Sequence, residues 1–98
     1  MKVLVVYAHP CGESFNAAVR DRLVAALCDA GNEVRVADLY GEGFEPVMGA
    51  QERRGYDAPG ENEAPVASEV ERLRWCEALV FVYPTWWFGP PAILKGWL

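Results

Sequence analysis

Near its start the chain carries the run Val3-Leu4-Val5-Val6-Tyr7, in which every residue is aliphatic or aromatic. A second unbroken run, Ala-Leu-Val-Phe-Val-Tyr, occupies positions 78–83. Such runs are typical of strands in a parallel sheet, because these strands are buried on both faces. Between them, residues 33–37 alternate polar with apolar, which indicates a more exposed strand nearer an edge. We therefore predict three parallel strands.

The first helix is predicted to begin after Ser14, a good N-cap residue, and to run to about Ala30. Gly31-Asn32 then supplies a left-handed stop. Arg20 is expected to lie away from the buried face of this helix. That face is expected to consist of the apolar residues at helical spacing, namely Phe15, Val19, Leu23, Leu27 and Ala30.

A second helix is predicted from about Pro65 to Cys76, with Pro65 in its first turn. Its apolar stripe is expected to be Val66, Val70 and Leu73. Four charged residues are expected on or near its solvent side, namely Glu69, Glu71, Arg72 and Arg74. The connection 40–64, rich in Gly, Glu and Pro, is expected to cross the surface and is longer than most connections in compact domains.

The order of elements is β-α-β-loop-α-β, and Pro90-Pro91 opens a third helix. This alternation predicts an α/β fold built on a doubly wound parallel sheet. In the flavodoxin-like version the strand order is 2-1-3-4-5, and ligands bind between strands one and three. This chain supplies three strands, so we expect an incomplete sheet of order 2-1-3. Residues 1–98 are then the N-terminal part of a single domain.

The composition limits the classes of partner. A net charge of −5 over 98 residues argues against binding to nucleic acid or to an anionic membrane. An anionic cofactor is compatible with it, because local backbone dipoles can hold a phosphate. With three cysteines and one histidine in no metal-ligand spacing, we expect no metal site and a reducing, cytoplasmic location. No apolar run is long enough for membrane insertion or for a secretory signal.

The loop after the first strand ends at a helix N-terminus, where free N–H groups and the positive end of the dipole favour a phosphate. His9, Ser14 and Asn16 would add side-chain donors there. A simpler interpretation is that Ser14 only caps the helix and that His9 is structural. The sequence leaves both interpretations open, and the loop lacks the glycine patterns of dinucleotide and Walker sites.

The loop after the third strand places Trp86, Trp87 and Phe88 in a row, between Pro84-Thr85 and Gly89-Pro90. Three large aromatic residues in one loop pack under a neighbouring element, form an interface or stack on a flat ligand. Beside a phosphate-binding loop, the third option suits a flavin nucleotide, with the phosphate at one end and the isoalloxazine ring at the other.

Several motifs resemble the NAD(P)H:quinone oxidoreductase family. The longest is 83–97, Tyr-Pro-Thr-Trp-Trp-Phe-Gly-Pro-Pro-Ala-Ile-Leu-Lys-Gly-Trp. Shorter matches are 7–10, Tyr-Ala-His-Pro, and 14–16, Ser-Phe-Asn. Asp-Leu-Tyr at 38–40, followed by Gly-Phe-Glu-Pro-Val at 43–47, also matches.

The resemblance implies a flavoprotein that binds FAD or FMN and passes a hydride from NAD(P)H through the flavin to a quinone. His9, Ser14, Phe15 and Asn16 would hold the phosphate and ribityl side. The isoalloxazine ring would be lined by the second loop, namely Pro84, Thr85, Trp86, Trp87 and Phe88. Family members are commonly homodimers, so a homodimer is one assembly to test.

The chain has only about half of the family's usual length. Strands four and five, and the tyrosine and histidine thought to assist reduction, would lie beyond Leu98, so no catalytic residue is assigned and enzymatic activity of these residues alone stays uncertain. The third strand would then have an exposed apolar edge. We expect a fragment of a reductase, with completion by another chain or a swapped dimer as alternatives. Two other functions stay open: a regulatory ancillary subunit of a glutathione-gated potassium efflux system, and an inactive fragment.

Overall fold

The computed structural model describes all residues from Met1 to Leu98. Its centre is a parallel sheet of three strands, β1 (Lys2–Tyr7), β2 (Glu33–Asp38) and β3 (Ala78–Val82), in the order β2-β1-β3. At the C-terminal edge, Tyr7 of β1 pairs with Asp38 on one side and with Val82 on the other. The predicted fold class and strand order are confirmed.

The chain also forms four α-helices: α1 (Phe15–Asp29), α2 (Ala50–Arg54), α3 (Ala67–Trp75) and α4 (Ala92–Trp97). The Ser14 hydroxyl accepts the Ala17 N–H at 3.1 Å, so Ser14 caps α1 as predicted. Gly31 ends the helix with a φ of 89°, which is the predicted left-handed stop. None of the four helices combines the length and the apolar character that a bilayer crossing needs.

The core lies on both faces of β1, as its unbroken apolar run predicts. Leu4, Val6 and Ala8 face one layer, where they pack with Leu94 of α4. Val3, Val5 and Tyr7 face the other layer, where Ala17 of α1 packs against them. All six of these β1-side residues are buried, so β1 is the central strand that holds the two layers together.

The predicted buried face of α1 is confirmed at Leu23 and Leu27, which pack against the core, and is wrong at Phe15, Val19 and Ala30, which are exposed. Phe15 is 82% exposed and Val19 also faces solvent, whereas the small Ala17 is buried against the sheet. Arg20, expected elsewhere, lies with its guanidinium 4.4 Å from the centre of the Tyr7 ring, and its hydrogen bond with Asp21 raises the pKa of Arg20. Because α1 is apolar around much of its circumference, periodicity alone does not select the face that meets the sheet.

The second predicted helix begins later than expected, and its inward face is only partly the predicted one. Val66 and Val70 are half-buried, as expected for the apolar stripe. Pro65 lies in a 3₁₀ turn (Ala64–Val66), and α3 starts at Ala67. Leu73 is exposed, whereas Glu69 and Arg72 are half-buried and form an ion pair at 2.9 Å. Arg72 also reaches Glu42 at 2.7 Å, so this partly exposed pair links α3 to the 40–46 segment.

β3 is less buried than its apolar sequence predicts. It pairs only with β1, and Leu79 and Phe81 on one of its faces are 41% and 37% exposed. The expectation of a strand covered on both faces is therefore wrong, and the expectation of an exposed apolar edge is confirmed. Edge strands of this kind are templates for pairing with further chain segments.

Candidate cofactor-binding site

The two candidate loops meet at the C-terminal edge of the sheet. The Ala8 N–H donates to the Val82 carbonyl at 3.0 Å, which extends the β1–β3 ladder to the point where both loops begin. The rings of His9 and Trp86 then meet edge to face, with centroids 5.8 Å apart and planes at 63°. The loops after the first and third strands are therefore neighbours, as the strand order predicts.

His9 is held by the backbone of its own loop. Its Nδ1 accepts the Cys11 N–H at 3.0 Å, so in the neutral ring the proton is on Nε2. The Nε2–H has no acceptor within the chain. His9 therefore offers a hydrogen-bond donor in the loop that leads to α1.

The first turn of α1 supplies further donors. The Ser14 carbonyl accepts the Ala18 N–H at 3.2 Å and its hydroxyl accepts that of Ala17, whereas the Phe15 and Asn16 N–H groups donate to no protein acceptor. Free N–H groups at a helix N-terminus attract anions. Ser14 therefore caps the helix, as the simpler interpretation of the sequence expects. The cap leaves two adjacent backbone N–H donors, those of Phe15 and Asn16, available.

The second loop forms a tight hairpin turn at the edge of the sheet. The Trp86 N–H donates to the Gly89 carbonyl at 3.0 Å, and the Gly89 N–H donates back to the Trp86 carbonyl at 3.1 Å. Trp87 and Phe88, at the tip, are 95% and 99% exposed. The tip therefore presents two aromatic side chains that pack against nothing else in the chain, while Trp86 connects the turn to His9.

A family model with the description "Flavodoxin-like fold" matches residues 1–98. The chain belongs to this family. NAD(P)H dehydrogenase (quinone) 1 of Rattus norvegicus is 35% identical over 98% of this chain and 41% of its own length. Ribosyldihydronicotinamide dehydrogenase (quinone) of Homo sapiens is 33% identical over 99% of this chain and 49% of its own length. The structure of NAD(P)H:quinone oxidoreductase from Methanothermobacter marburgensis superposes with a TM-score of 0.88 at 34% identity, covering 99% of this chain and 51% of that one.

These relatives confirm the resemblance to the NAD(P)H:quinone oxidoreductase family that the motifs indicate. This flavodoxin-like chain spans about half the length of the curated relatives it matches, between 41% and 49%. The aligned half contains both candidate loops, because the matches extend over nearly all of the 98 residues.

The residue types of this flavodoxin-like site suit the two ends of a flavin nucleotide. Free N–H groups of Phe15 and Asn16, with the Nε2–H of His9, are donors of the kind that a phosphate accepts. The exposed rings of Trp87 and Phe88 offer flat surfaces of the kind on which a planar heterocycle stacks. Of the remaining candidates, Pro84 is half-buried and Thr85 is exposed in the segment that leads to the turn.

An ion-pair network that the sequence does not predict links three segments of the chain. Glu69 accepts the indole N–H of Trp97 at 2.7 Å and pairs with Arg72, which in turn binds Glu42. Burial alone would lower the pKa of Arg72, but its hydrogen bonds and charge interactions with Glu42 and Glu69 outweigh burial and raise that pKa. This network connects α3 to α4, the helix that follows the aromatic turn, and to the 40–46 segment.

The close approach of that segment to α4 depends on a glycine. A Cβ at Gly96 would lie 2.6 Å from the Pro46 carbonyl oxygen and within contact of the proline ring. The motif residues Pro46 and Gly96, which are fifty positions apart in the sequence, are therefore in contact. Their spacing gives no signal of this contact, which the fold alone reveals.

Proposed function

We propose that this chain supplies the flavin-binding part of a flavin-dependent NAD(P)H dehydrogenase that reduces quinones. The observation that carries the proposal is the contact between His9 and Trp86, at 5.8 Å between ring centroids. It brings a helix N-terminus with free donors next to an exposed aromatic turn, and a flavin nucleotide has complementary groups at its two ends.

The phosphate end of FAD or FMN would be held by the first loop. The Phe15 and Asn16 N–H groups would donate to phosphate oxygens, the Ser14 hydroxyl would keep the first turn of α1 formed, and His9 would donate from Nε2. These donors are local, so they can act within a chain whose net charge is −5. The Asn16 side-chain amide adds a neutral donor that suits the ribityl hydroxyls.

The ring end would be held by the second loop. Trp87 and Phe88 would cover the isoalloxazine ring, while Pro84 and Thr85 carry the chain from β3 to the turn. The Trp87 and Phe88 N–H groups have no protein acceptor, so they are available to the acceptor edge of a bound heterocycle. Bound flavin would supply the hydride chemistry, and the protein would orient it and restrict access of water.

Three further proposals concern substrates, assembly and location, and the names of the relatives support the first of them. NAD(P)H and a quinone are the two substrates, which would stack in turn over the flavin beside the Trp87 and Phe88 rings. The assembly we propose to test is a homodimer, and the location is the cytoplasm, where three free cysteines would stay reduced.

The experiment is a titration of the protein, with any residues that its gene encodes beyond Leu98, after bound flavin has been removed. We expect saturable quenching of tryptophan fluorescence by FAD or FMN at micromolar concentrations, and NADH or NADPH oxidation when a quinone is added. Trp87→Ala should weaken binding at least tenfold. Tyr56→Ala is the matched control, because Tyr56 is an exposed aromatic residue in the connection after α2. Absence of saturable binding of either flavin would remove the proposal.

A second candidate function is docking on a potassium efflux system as its regulatory ancillary subunit. The near-complete exposure of Trp87 and Phe88 favours it, since exposed aromatic pairs are typical of protein interfaces. Efflux measured with and without this protein separates the two functions. Unchanged efflux in cells that lack the protein would remove the docking function and leave the reductase.

A further inference from the structure

The ion-pair network runs without interruption from the end of β2 to α4. One carboxylate oxygen of Glu42 accepts the backbone N–H of Asp38, the last residue of β2, at 3.0 Å, and Arg72 binds the other oxygen at 2.7 Å. Arg72 also binds one oxygen of Glu69 at 2.9 Å. The second oxygen of Glu69 accepts the indole N–H of Trp97 at 2.7 Å. All four carboxylate oxygens therefore have partners, and the side chains form one continuous set of hydrogen bonds.

Trp97 connects this network to both flanks of the aromatic turn, residues 86–89. Before the turn, Phe81 of β3 meets the Trp97 ring edge to face, with centroids 6.0 Å apart. After the turn, the chain passes through Pro90 to the fully buried Pro91, which precedes α4. Because a proline ring fixes φ, a displacement of α4 is passed on to the turn with little slack.

We propose that Glu69 is a positioning residue for the aromatic turn, which it holds in place through Trp97 and α4. A hydrogen bond to an ionised acceptor is stronger than a bond between neutral groups. The Glu69 side chain is only 12% exposed and its other oxygen is bound to Arg72, so its own position is fixed. The inference rests on the proposed function, because flavin is the ligand whose binding the held turn would favour.

Four variants isolate the hydrogen bond between Glu69 and Trp97. Glu69→Leu removes the acceptor, and Trp97→Phe removes the donor but keeps a ring beside Phe81. Glu69→Gln keeps an acceptor oxygen and is the conservative replacement. Glu63→Leu is the matched control, because Glu63 pairs with Arg74 of the same helix at 2.6 Å and neither residue hydrogen-bonds to α4.

Amide hydrogen exchange in the flavin-free protein, with any residues its gene encodes beyond Leu98, is the first measurement. The N–H groups of Trp86 and Gly89 close the turn, so their exchange reports how often it opens. We expect this exchange to be about fivefold faster or more in Glu69→Leu and Trp97→Phe than in the parent. Glu69→Gln and Glu63→Leu should stay within about twofold of the parent.

Flavin affinity is the second measurement, made where denaturant unfolding shows every variant to be folded. A purely structural role of Glu69 would change stability and leave the affinity of the folded protein unchanged. A ligand that needs one arrangement of the turn loses affinity in proportion to the fraction of molecules that hold it. FAD or FMN affinity should therefore fall about fivefold or more in Glu69→Leu and in Trp97→Phe, and about equally in the double variant, because both changes break the same bond. Glu69→Gln and Glu63→Leu should stay within about threefold of the parent.

The inference is wrong if folded Glu69→Leu and Trp97→Phe match Glu63→Leu in exchange at the turn, or in flavin affinity. Losses that add in the double variant would also contradict it, because the two side chains would then act separately. Trp97→Phe decides the test if Glu69→Leu does not fold. A parent protein that binds neither flavin would remove the proposed function, and amide exchange alone would then decide whether Glu69 holds the turn.

Discussion

Ser14 allows a direct test of whether the N-terminus of α1 holds a phosphate or is only capped. Its hydroxyl accepts the Ala17 N–H at 3.1 Å. The Ser14→Ala variant removes this hydrogen bond, and the Ser14→Asp variant replaces its acceptor with a carboxylate. Alanine cannot cap, so Ser14→Ala should lower the free energy of unfolding by about 1 kcal/mol. Aspartate is as good an N-cap residue as serine, and its charge suits the positive end of the helix dipole. Ser14→Asp should therefore change the free energy of unfolding by less than about 0.5 kcal/mol.

Flavin binding should respond differently to the same two variants. Ser14→Asp places a negative charge beside the Phe15 and Asn16 N–H groups that would bind the phosphate. For charges about 6 Å apart, Coulomb repulsion is about 0.7 kcal/mol at the dielectric constant of water and about 2.8 kcal/mol at an effective value near 20. The FMN affinity of Ser14→Asp should therefore fall by about 3- to 100-fold, with the smaller loss at high salt.

Riboflavin supplies the matched ligand control, because it has the same ring and ribityl chain as FMN but no phosphate. Ser14→Asp should leave its affinity unchanged within about twofold, since the added charge meets no anionic group. Fluorescence titration of both ligands with the parent and with the variant gives the four affinities that are needed. If Ser14→Asp folds normally and binds FMN as tightly as the parent does, the phosphate is not at this helix and Ser14 is a cap alone.

Three further substitutions test the packing around the site by denaturant unfolding. Gly96→Ala should lower the free energy of unfolding by about 1–3 kcal/mol, because the added Cβ meets Pro46. Helix propensity alone predicts the opposite, a rise in that free energy of about 1 kcal/mol. A measured rise would show that α4 and the 40–46 segment move apart freely. Tyr7→Phe should raise the free energy of unfolding by about 1 kcal/mol, because the buried Tyr7 hydroxyl has no hydrogen-bond partner. A lower free energy of unfolding would show that this oxygen has a partner in solution. Arg72→Met should lower the free energy of unfolding by about 1 kcal/mol, and by less at high salt, because the ion pair of Arg72 with Glu42 is partly exposed. An equal decrease at low and high salt would show that packing of the Arg72 side chain, and not its charge, is responsible.

The sheet is the part of the fold that the sequence predicts best. The run from Val3 to Tyr7 is apolar at every position because its strand is central, and a short, unbroken, β-branched run of this kind is typical of a strand covered on both faces. The same pattern in β3 predicts burial that Leu79 and Phe81 do not have. The sequence pattern indicates the environment in which a strand is stable. The burial that the strand actually has also depends on which other segments cover that strand.

The helices are harder to orient than to locate. The cap at Ser14 and the stop at Gly31 are local features, so they fix the ends of α1 without reference to the sheet. Its rotation depends on tertiary contacts, in which the small Ala17 allows close approach and the guanidinium of Arg20 lies over the Tyr7 ring. In α3 an ion-pair network turns Arg72 inward, and no hydrophobic pattern encodes such a network.

The candidate site is predictable in its location and not in its backbone. The topology brings the two loops together once the strands are ordered, which places His9 beside Trp86. The left-handed turn at Trp87 and Phe88 is unpredictable, because sequence rules for hairpin turns expect Asn or Gly at those positions. A departure of this kind is most often found where function takes precedence over stability.

The fold supports the two halves of the site unequally. The loop after β1 leaves a central strand whose residues from Val3 to Tyr7 are buried, and it ends at a capped helix of fifteen residues. The aromatic turn leaves an edge strand with Leu79 and Phe81 partly exposed, and its own backbone is strained. Segments with few buried contacts open locally at lower free energy than the core. Any chain segment that covers β3 would therefore stabilise the aromatic turn more than the N-terminus of α1. If flavin binds as proposed, its affinity for the ring should depend more strongly on that cover than its affinity for the phosphate does.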